Sequence, residues 1–211
     1  MPELIPALLV QDAAEFRTRL DFVEGVARCV QLDCMDGHFV SSRTWYEAGA
    51  VDTSLEIELH LMVSDPHAVI RAWKRIPQVV RAFWHLEAPI DHQKIIDECR
   101  TLGWECGLAI SPDTSAERLA PYAEITDAVL VLGVTPGWSG QKLIPSTLEK
   151  VKQIKERWPA LGVGFDGGVT RGTIPDLLAA GVDRVCAASA IFLDAHPRAA
   201  AESLKRLIEG P

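Results

Sequence analysis

Short runs of β-branched and aliphatic residues recur along the chain, and most are followed by a stretch with helical spacing. The β-rich runs are LIPALLV, ARCVQLDCM, LEIELHLMV, VVRAFWHLE, ECGLAI, DAVLVLGV, GVGFDG and DRVCAAS. Between them, PHAVIRAWKRI, DHQKIIDECRTLG, PSTLEKVKQIKERW and TIPDLLAAG read as helices, most opened by Pro, Asp, Ser or Thr and several closed by Gly. The alternation predicts eight β/α units. No linker, low-complexity tract or charge block interrupts them, so residues 1–211 are expected to form one domain. Eight units in 211 residues is the length of a compact α/β (β/α)8 barrel, with a doubly wound open sheet as the competing architecture of the same periodicity.

Parity along the strands says which side chains meet. In the second run Cys29, Gln31, Asp33 and Met35 share one face; in the third, Glu58, His60 and Met62 do. The run QLDCMDGHFV therefore places Gln31, Asp33 and Asp36 where a core strand would carry aliphatics. Buried charge is usually paired rather than reactive, and each residue alone has an ordinary structural reading: a satisfied aspartate, a hydrogen-bonded core histidine at His60, a helix cap at Asp166. In a barrel, however, the inward face at the strand ends opens into the C-terminal mouth, where such folds carry their chemistry. Gln31, Asp33, His60 and Asp166 come from three strands at that level, and their convergence points to a site.

Composition changes this picture in two ways. The formal net charge of −8 argues against nucleic acid or an anionic membrane as a partner. No run of about 18 apolar residues is present, and MPELIPALLVQD is acidic where a signal peptide is basic, so neither a membrane span nor export is expected, and the location expected is cytoplasmic. The five cysteines are odd in number and lack C-x-x-C spacing, which suits reduced core thiols.

An anionic small molecule is still compatible with that charge. TPGWSGQ follows the sixth strand, DGGV the seventh and AASAIF the eighth. Backbone N–H groups of such loops cradle phosphate without a cationic side chain, so Gly137, Trp138, Ser139, Gly140, Gly167, Gly168, Ala188 and Ser189 are candidate phosphate-binding residues. Tight turns alone would also explain the glycines.

LDCMDGHFV, ELHLMVSDP, FWHLEA, GLAISPDTS, VTPGWSGQK with PSTLEKVKQIKE, and FDGGV with AASAIF together make the chain resemble the ribulose-phosphate 3-epimerase family over nearly its whole length. The resemblance implies a TIM barrel of the ribulose-phosphate-binding type, an oligomeric assembly, and interconversion of D-ribulose 5-phosphate and D-xylulose 5-phosphate, a step of the pentose phosphate pathway. It implies a divalent metal (Mn, Fe, Zn, Co or Mg). By resemblance Asp33 and Asp166 are the acid/base pair, and Gln31, Asp33, His60 and Asp166 stand at the metal-ligand positions. Met35 and Met62 match methionines lining the planar intermediate, although ordinary core filling explains them equally well.

The chain also departs from the family. Gln31 stands where a histidine ligand is usual, Ala7 where a serine is, and Leu132, Gly133 and Thr135 where methionine, threonine and glutamate are. The loop reads GWSG for the commoner GFGG, and Ala188 replaces a glycine. A weaker oxygen ligand at position 31 favours a harder ion such as Mn or Mg over zinc. Two alternatives to the ribulose 5-phosphate enzyme are kept: an epimerase of another ketose phosphate, and a non-catalytic sugar-phosphate-binding homologue. A phosphate-binding decarboxylase barrel is disfavoured because the chain lacks D-x-K-x-x-D.

Overall fold

The structure is a computed structural model that describes residues 1–49 and 51–210. Eight parallel strands close on themselves in chain order: β1 (Glu3–Leu8), β2 (Cys29–Met35), β3 (Glu56–Met62), β4 (Val79–His85), β5 (Glu105–Ile110), β6 (Ala128–Leu132), β7 (Gly162–Asp166) and β8 (Arg184–Ala187). β8 pairs with β1, so no edge is left open and the open-sheet alternative is excluded. The helices are α1 (Ala13–Val23), α2 (Pro66–Trp73), α3 (His92–Leu102), α4 (Ser146–Arg157), α5 (Ile174–Ala180), α6 (Ser189–Phe192) and α7 (Pro197–Glu209).

Local chemistry explains most of the boundaries. Asp12, Asp65 and Asp91 accept the N–H of Glu15, Ala68 and Lys94 at the starts of α1, α2 and α3, and Gly103 and Gly181 end α3 and α5 in the left-handed conformation. α4 and α5 start without a side-chain cap bond. Two connections differ from the regular alternation. β5 and β6 are joined through a single 3-10 turn at Ala116–Leu119, and no helix is found among the described residues between β2 and β3. That segment is tied down by other bonds. Trp45 N–H donates to the Val10 carbonyl at 2.7 Å, Trp73 Nε1 to the Tyr46 carbonyl at 3.0 Å, and Gln78 Nε2 to the Val51 carbonyl at 3.0 Å.

Strand parity sorts the core into two compartments. Val30, Leu32 and Cys34 of β2 and Ile57, Leu59 and Leu61 of β3 join the large apolar layer beneath the helices. Ile5, Ala7, Cys29, Phe83, Ala109, Leu130, Leu132 and Cys186 fill the barrel interior. All five cysteines are buried and unpaired. The N-terminal end of the interior is closed by charge. The fully buried Glu58 accepts from Arg81 Nη1, Arg81 Nε donates to Glu105 at 2.6 Å, and Arg184 donates to the same Glu105 oxygen at 3.2 Å.

This plug generates a stability prediction. Glu58→Ala leaves the buried Arg81 guanidinium with only the half-exposed Glu105 carboxylate and is expected to destabilise the fold by about 1–3 kcal/mol, less than the loss of a sole partner would cost. Urea unfolding of the variant checks it, and a loss within experimental error of zero would show that the network does not hold the barrel floor.

Candidate active site at the C-terminal mouth

Register brings the inward polar residues to one level. Asp33 pairs with His60 across β2 and β3, Gln31 with Ala7 across β1 and β2, and Asp166 ends β7. Thr44 locks the end of β2, donating its hydroxyl to the Asp33 carbonyl and accepting the Met35 N–H at 2.9 Å. The result is a cluster with short distances. His60 Nδ1 lies 2.8 Å from Asp33 Oδ1 and 3.4 Å from Asp166 Oδ2. Gln31 Nε2 donates to Asp33 Oδ1 at 2.9 Å and to Asp166 Oδ2 at 2.8 Å.

The two carboxylates are therefore nearer than a substrate-sized gap would place them. An amide nitrogen bridges them from below, and the open space lies above. That space is a cavity whose lining includes Asp33, Met35, His60, Met62, Leu132 and Asp166. The remaining wall is loop: Gly137, Trp138, Ser139, Gly140, Gly167, Gly168, Ala188 and Ser189 all line the same cavity. Gln31 is fully buried beneath it and does not reach the wall.

Burial and mutual charge set the protonation of the cluster. Desolvation, reinforced by the Asp166 carboxylate, pushes Asp33 up to about 6, while hydrogen bonds from His60 and Gln31 oppose it. Burial alone would lower His60, but its hydrogen bonds to Asp166 and Asp33 and their charges more than reverse this and raise it to about 9. In the metal-free protein at neutral pH, His60 is thus a cation between two carboxylates.

The same atoms suit a divalent cation. One donor atom each from Asp33, His60 and Asp166 lies within 4.8 Å of the others, a set of two oxygens and one nitrogen. Gln31 adds a telling feature: its Oε1 is buried without any hydrogen-bond partner. A carboxamide turned over would direct that oxygen at the place its nitrogen now holds, which carboxylate oxygens would resist unless a cation lay between them. The donor set fits a metal.

Glycine is required in the loops at particular points. A Cβ on Gly133 would lie 2.4 Å from the Gly167 carbonyl, and Gly168 has φ +69 with a Cβ position 2.6 Å from the Leu143 backbone. Ala188 has φ −106, outside the left-handed region that favours glycine.

Asp36 belongs elsewhere. Its carboxylate accepts the N–H of His38 and Phe39 and both the N–H and hydroxyl of Ser64, at 2.6–3.0 Å, stitching the loop after β2 to the loop after β3. Other neighbours were not singled out by the sequence reading. His85 of β4 contacts His60, Nε2 to Nε2, at 3.1 Å, and Glu87 accepts from His85. Gln141 pins the glycine loop by donating to the Thr135 and Trp138 carbonyls at 2.7 and 2.9 Å. The signal for His85 was present, since it shares inward parity with Phe83 at the C-terminal end of its strand.

The sequence model of the ribulose-phosphate 3 epimerase family matches residues 3–192. The chain belongs to that family. It is 30% identical to the cytoplasmic isoform of ribulose-phosphate 3-epimerase from Oryza sativa subsp. japonica, covering 99% of this chain and 95% of that protein. It is 31% identical to ribulose-phosphate 3-epimerase from Bacillus subtilis (strain 168), covering 91% and 93%. Among solved structures, 3-hexulose-6-phosphate synthase from Salmonella typhimurium superposes with a TM-score of 0.73 at 15% identity, covering 99% of this chain and 100% of that one, a likeness of fold. No helix among the described residues is long and apolar enough to cross a membrane.

Asp36 yields a pH prediction. Slight burial would raise its pKa, but the Ser64, Phe39 and His38 donors hold it well below the usual carboxylate range. A depressed folded pKa gives stability that is complete above the unfolded value and lost as pH falls through the folded one. Asp36→Asn is therefore expected to lower Tm at neutral pH and to flatten the fall of Tm below about pH 4. An acid profile parallel to that of the unaltered protein would contradict the assignment.

Proposed function

We propose that the protein is a metal-assisted 3-epimerase of ketose phosphates, interconverting D-ribulose 5-phosphate and D-xylulose 5-phosphate, with Asp33 and Asp166 as the two acid/base groups. The observation that carries the reading is the delivery of two carboxylates, from β2 and β7, to the floor of one cavity walled by glycine-rich loops. Inverting a carbon beside a ketone needs a proton taken from one face and another returned to the opposite face. β2 and β7 stand apart in the barrel with β1 and β8 between them, which suits one carboxylate to each face. Burial and the neighbouring Asp166 carboxylate raise the proton affinity of Asp33 above that of an ordinary carboxylate, in the direction a base needs. Met35 and Met62 line the cavity beside the carboxylates and offer an uncharged, polarisable surface to a planar intermediate.

Asp33, His60 and Asp166, with the Gln31 carbonyl as a fourth donor, would hold the divalent ion, and its oxygen-rich set favours Mn or Mg. When bound, such an ion stabilises negative charge on the substrate oxygen as the carbon loses its proton. The phosphate end would lie against the backbone of Gly137–Gly140, Gly167–Gly168 and Ala188–Ser189, whose N–H groups need no cationic side chain and so tolerate the acidic net charge. Trp138, 55% exposed on the first of these loops, is placed to cover a bound substrate.

A coupled assay with ribulose 5-phosphate, with and without Mn, tests the reading. Asp33→Asn is expected to lower turnover by roughly 100- to 10,000-fold, since an amide cannot act as the base. Gln31→His, which supplies a nitrogen donor where a neutral carbonyl stands, is expected to tighten metal binding and raise activity. Full metal content in Gln31→His with no turnover on any ketose phosphate tried would instead identify a sugar-phosphate-binding protein.

A further inference from the structure

Beneath the cluster runs a chain of side chains that the proposed reaction does not use. His60 Nε2 faces His85 Nε2 at 3.1 Å, and His85 Nδ1 faces Glu87 Oε2 at 3.1 Å. Glu87 is itself fixed: its Oε1 accepts the Ser111 N–H at 2.9 Å and the Thr114 hydroxyl. The Ser111 and Pro112 carbonyls in turn take the Lys150 ammonium of α4 at 2.8 and 2.7 Å. Phe39 lies against the His85 ring, with centroids 4.7 Å apart, and restrains its plane.

We infer that Glu87 and His85 are positioning residues that fix the tautomer of His60, so that its Nδ1, and not its Nε2, is the nitrogen offered to the cation. The argument is one of donors and acceptors. An ionised Glu87 can only accept, so His85 must carry its proton on Nδ1. The 3.1 Å contact between the two Nε2 atoms needs one donor and one acceptor, and a neutral His85 with its proton on Nδ1 leaves its Nε2 to accept, so His60 keeps a proton on Nε2. This holds whether His60 is neutral or cationic. The proton that leaves for a cation can then come only from Nδ1, the atom that faces Asp33 and Asp166. The geometry around Glu87 agrees: its Oε1 takes the Ser111 N–H and the Thr114 hydroxyl, and its Oε2 is left to face His85 Nδ1, so the carboxylate acts as an acceptor at both oxygens.

The inference rests on the metal reading of the cluster, and its test separates the two. Nitrogen-15 spectra of the histidine side chains in metal-free protein report the tautomers directly, and Mn competition reports affinity. In the unaltered protein His85 is expected to show a protonated Nδ1 and a bare Nε2. Glu87→Ala removes the bias and is expected to weaken Mn binding roughly 10-fold. Glu87→Gln should be worse than the truncation, although it keeps the shape. Ser111 N–H and Thr114 claim the amide oxygen, so the amide N–H faces His85 Nδ1, moves the His85 proton to Nε2 and forces the His60 proton onto Nδ1. A loss approaching 100-fold is expected, with the His85 tautomer reversed. Thermal unfolding of each variant checks that the fold is retained. Tight Mn binding with His85 protonated on Nε2 in the unaltered protein, or an unchanged tautomer and affinity in Glu87→Gln, overturns the relay alone. Correct tautomers with no Mn bound to the unaltered protein overturn the metal reading, and the relay's role with it.

Discussion

Repulsion between two buried carboxylates is the constraint to which the mouth of this barrel is adapted. At an effective dielectric of about 20, unit charges within 4.8 Å repel by roughly 3 kcal/mol, and Asp33 is buried while the Asp166 side chain is only 13% exposed. The protein answers with donors. His60 is drawn up to about 9 and stays cationic, and the Gln31 amide gives one N–H to each carboxylate. Both donors stand where a divalent cation would do the same work. The orphaned Gln31 oxygen is the mark of that compromise: the amide is turned the way the carboxylates need, at the expense of its own carbonyl.

The same arrangement would let a protein of net charge −8 receive the proposed sugar phosphate. Two carboxylates lie at the cavity floor with His60 and Gln31 between them, while the wall is built by residues of the three loops that follow β6, β7 and β8. Close packing keeps that wall in place, as the tight approach of Gly133 to the Gly167 carbonyl illustrates. At the opposite end of the barrel Glu58 and Arg81 are buried as a pair, so the interior is charged at both ends and apolar between. The two ends differ in purpose. One is a closed pair that stabilises, and the other opens to a cavity.

Much of this was legible in the sequence because strand side chains alternate with period two and neighbouring strands in a parallel barrel keep register. Parity on β2 and β3, with Asp166 at the end of the seventh run of a barrel, placed Gln31, Asp33, His60 and Asp166 together, and the resemblance added their chemistry. Asp36, from the same ten-residue run as Asp33, proved to be a loop tie, a distinction that parity could have drawn since it follows the last inward residue, Met35. His85 carried the same parity signal as His60 and was passed over as part of an apolar run, and Glu87 lies beyond the strand end, where parity says nothing. That no helix is found among the described residues between β2 and β3 was not legible either, because short polar segments with isolated aromatics such as Trp45 and Tyr46 give no period. The way the Gln31 amide faces depends on partners from two other strands, and no local pattern encodes that.

The central claim is that the space now bridged by the Gln31 amide nitrogen is a cation site. Anomalous diffraction from crystals soaked in Mn tests it most directly. The account predicts one strong peak bounded by Asp33 Oδ1, His60 Nδ1 and Asp166 Oδ2, with the Gln31 carboxamide turned so that Oε1 faces the ion. Mn bound only at other carboxylates, with the Gln31 nitrogen still donating to both aspartates, would contradict it.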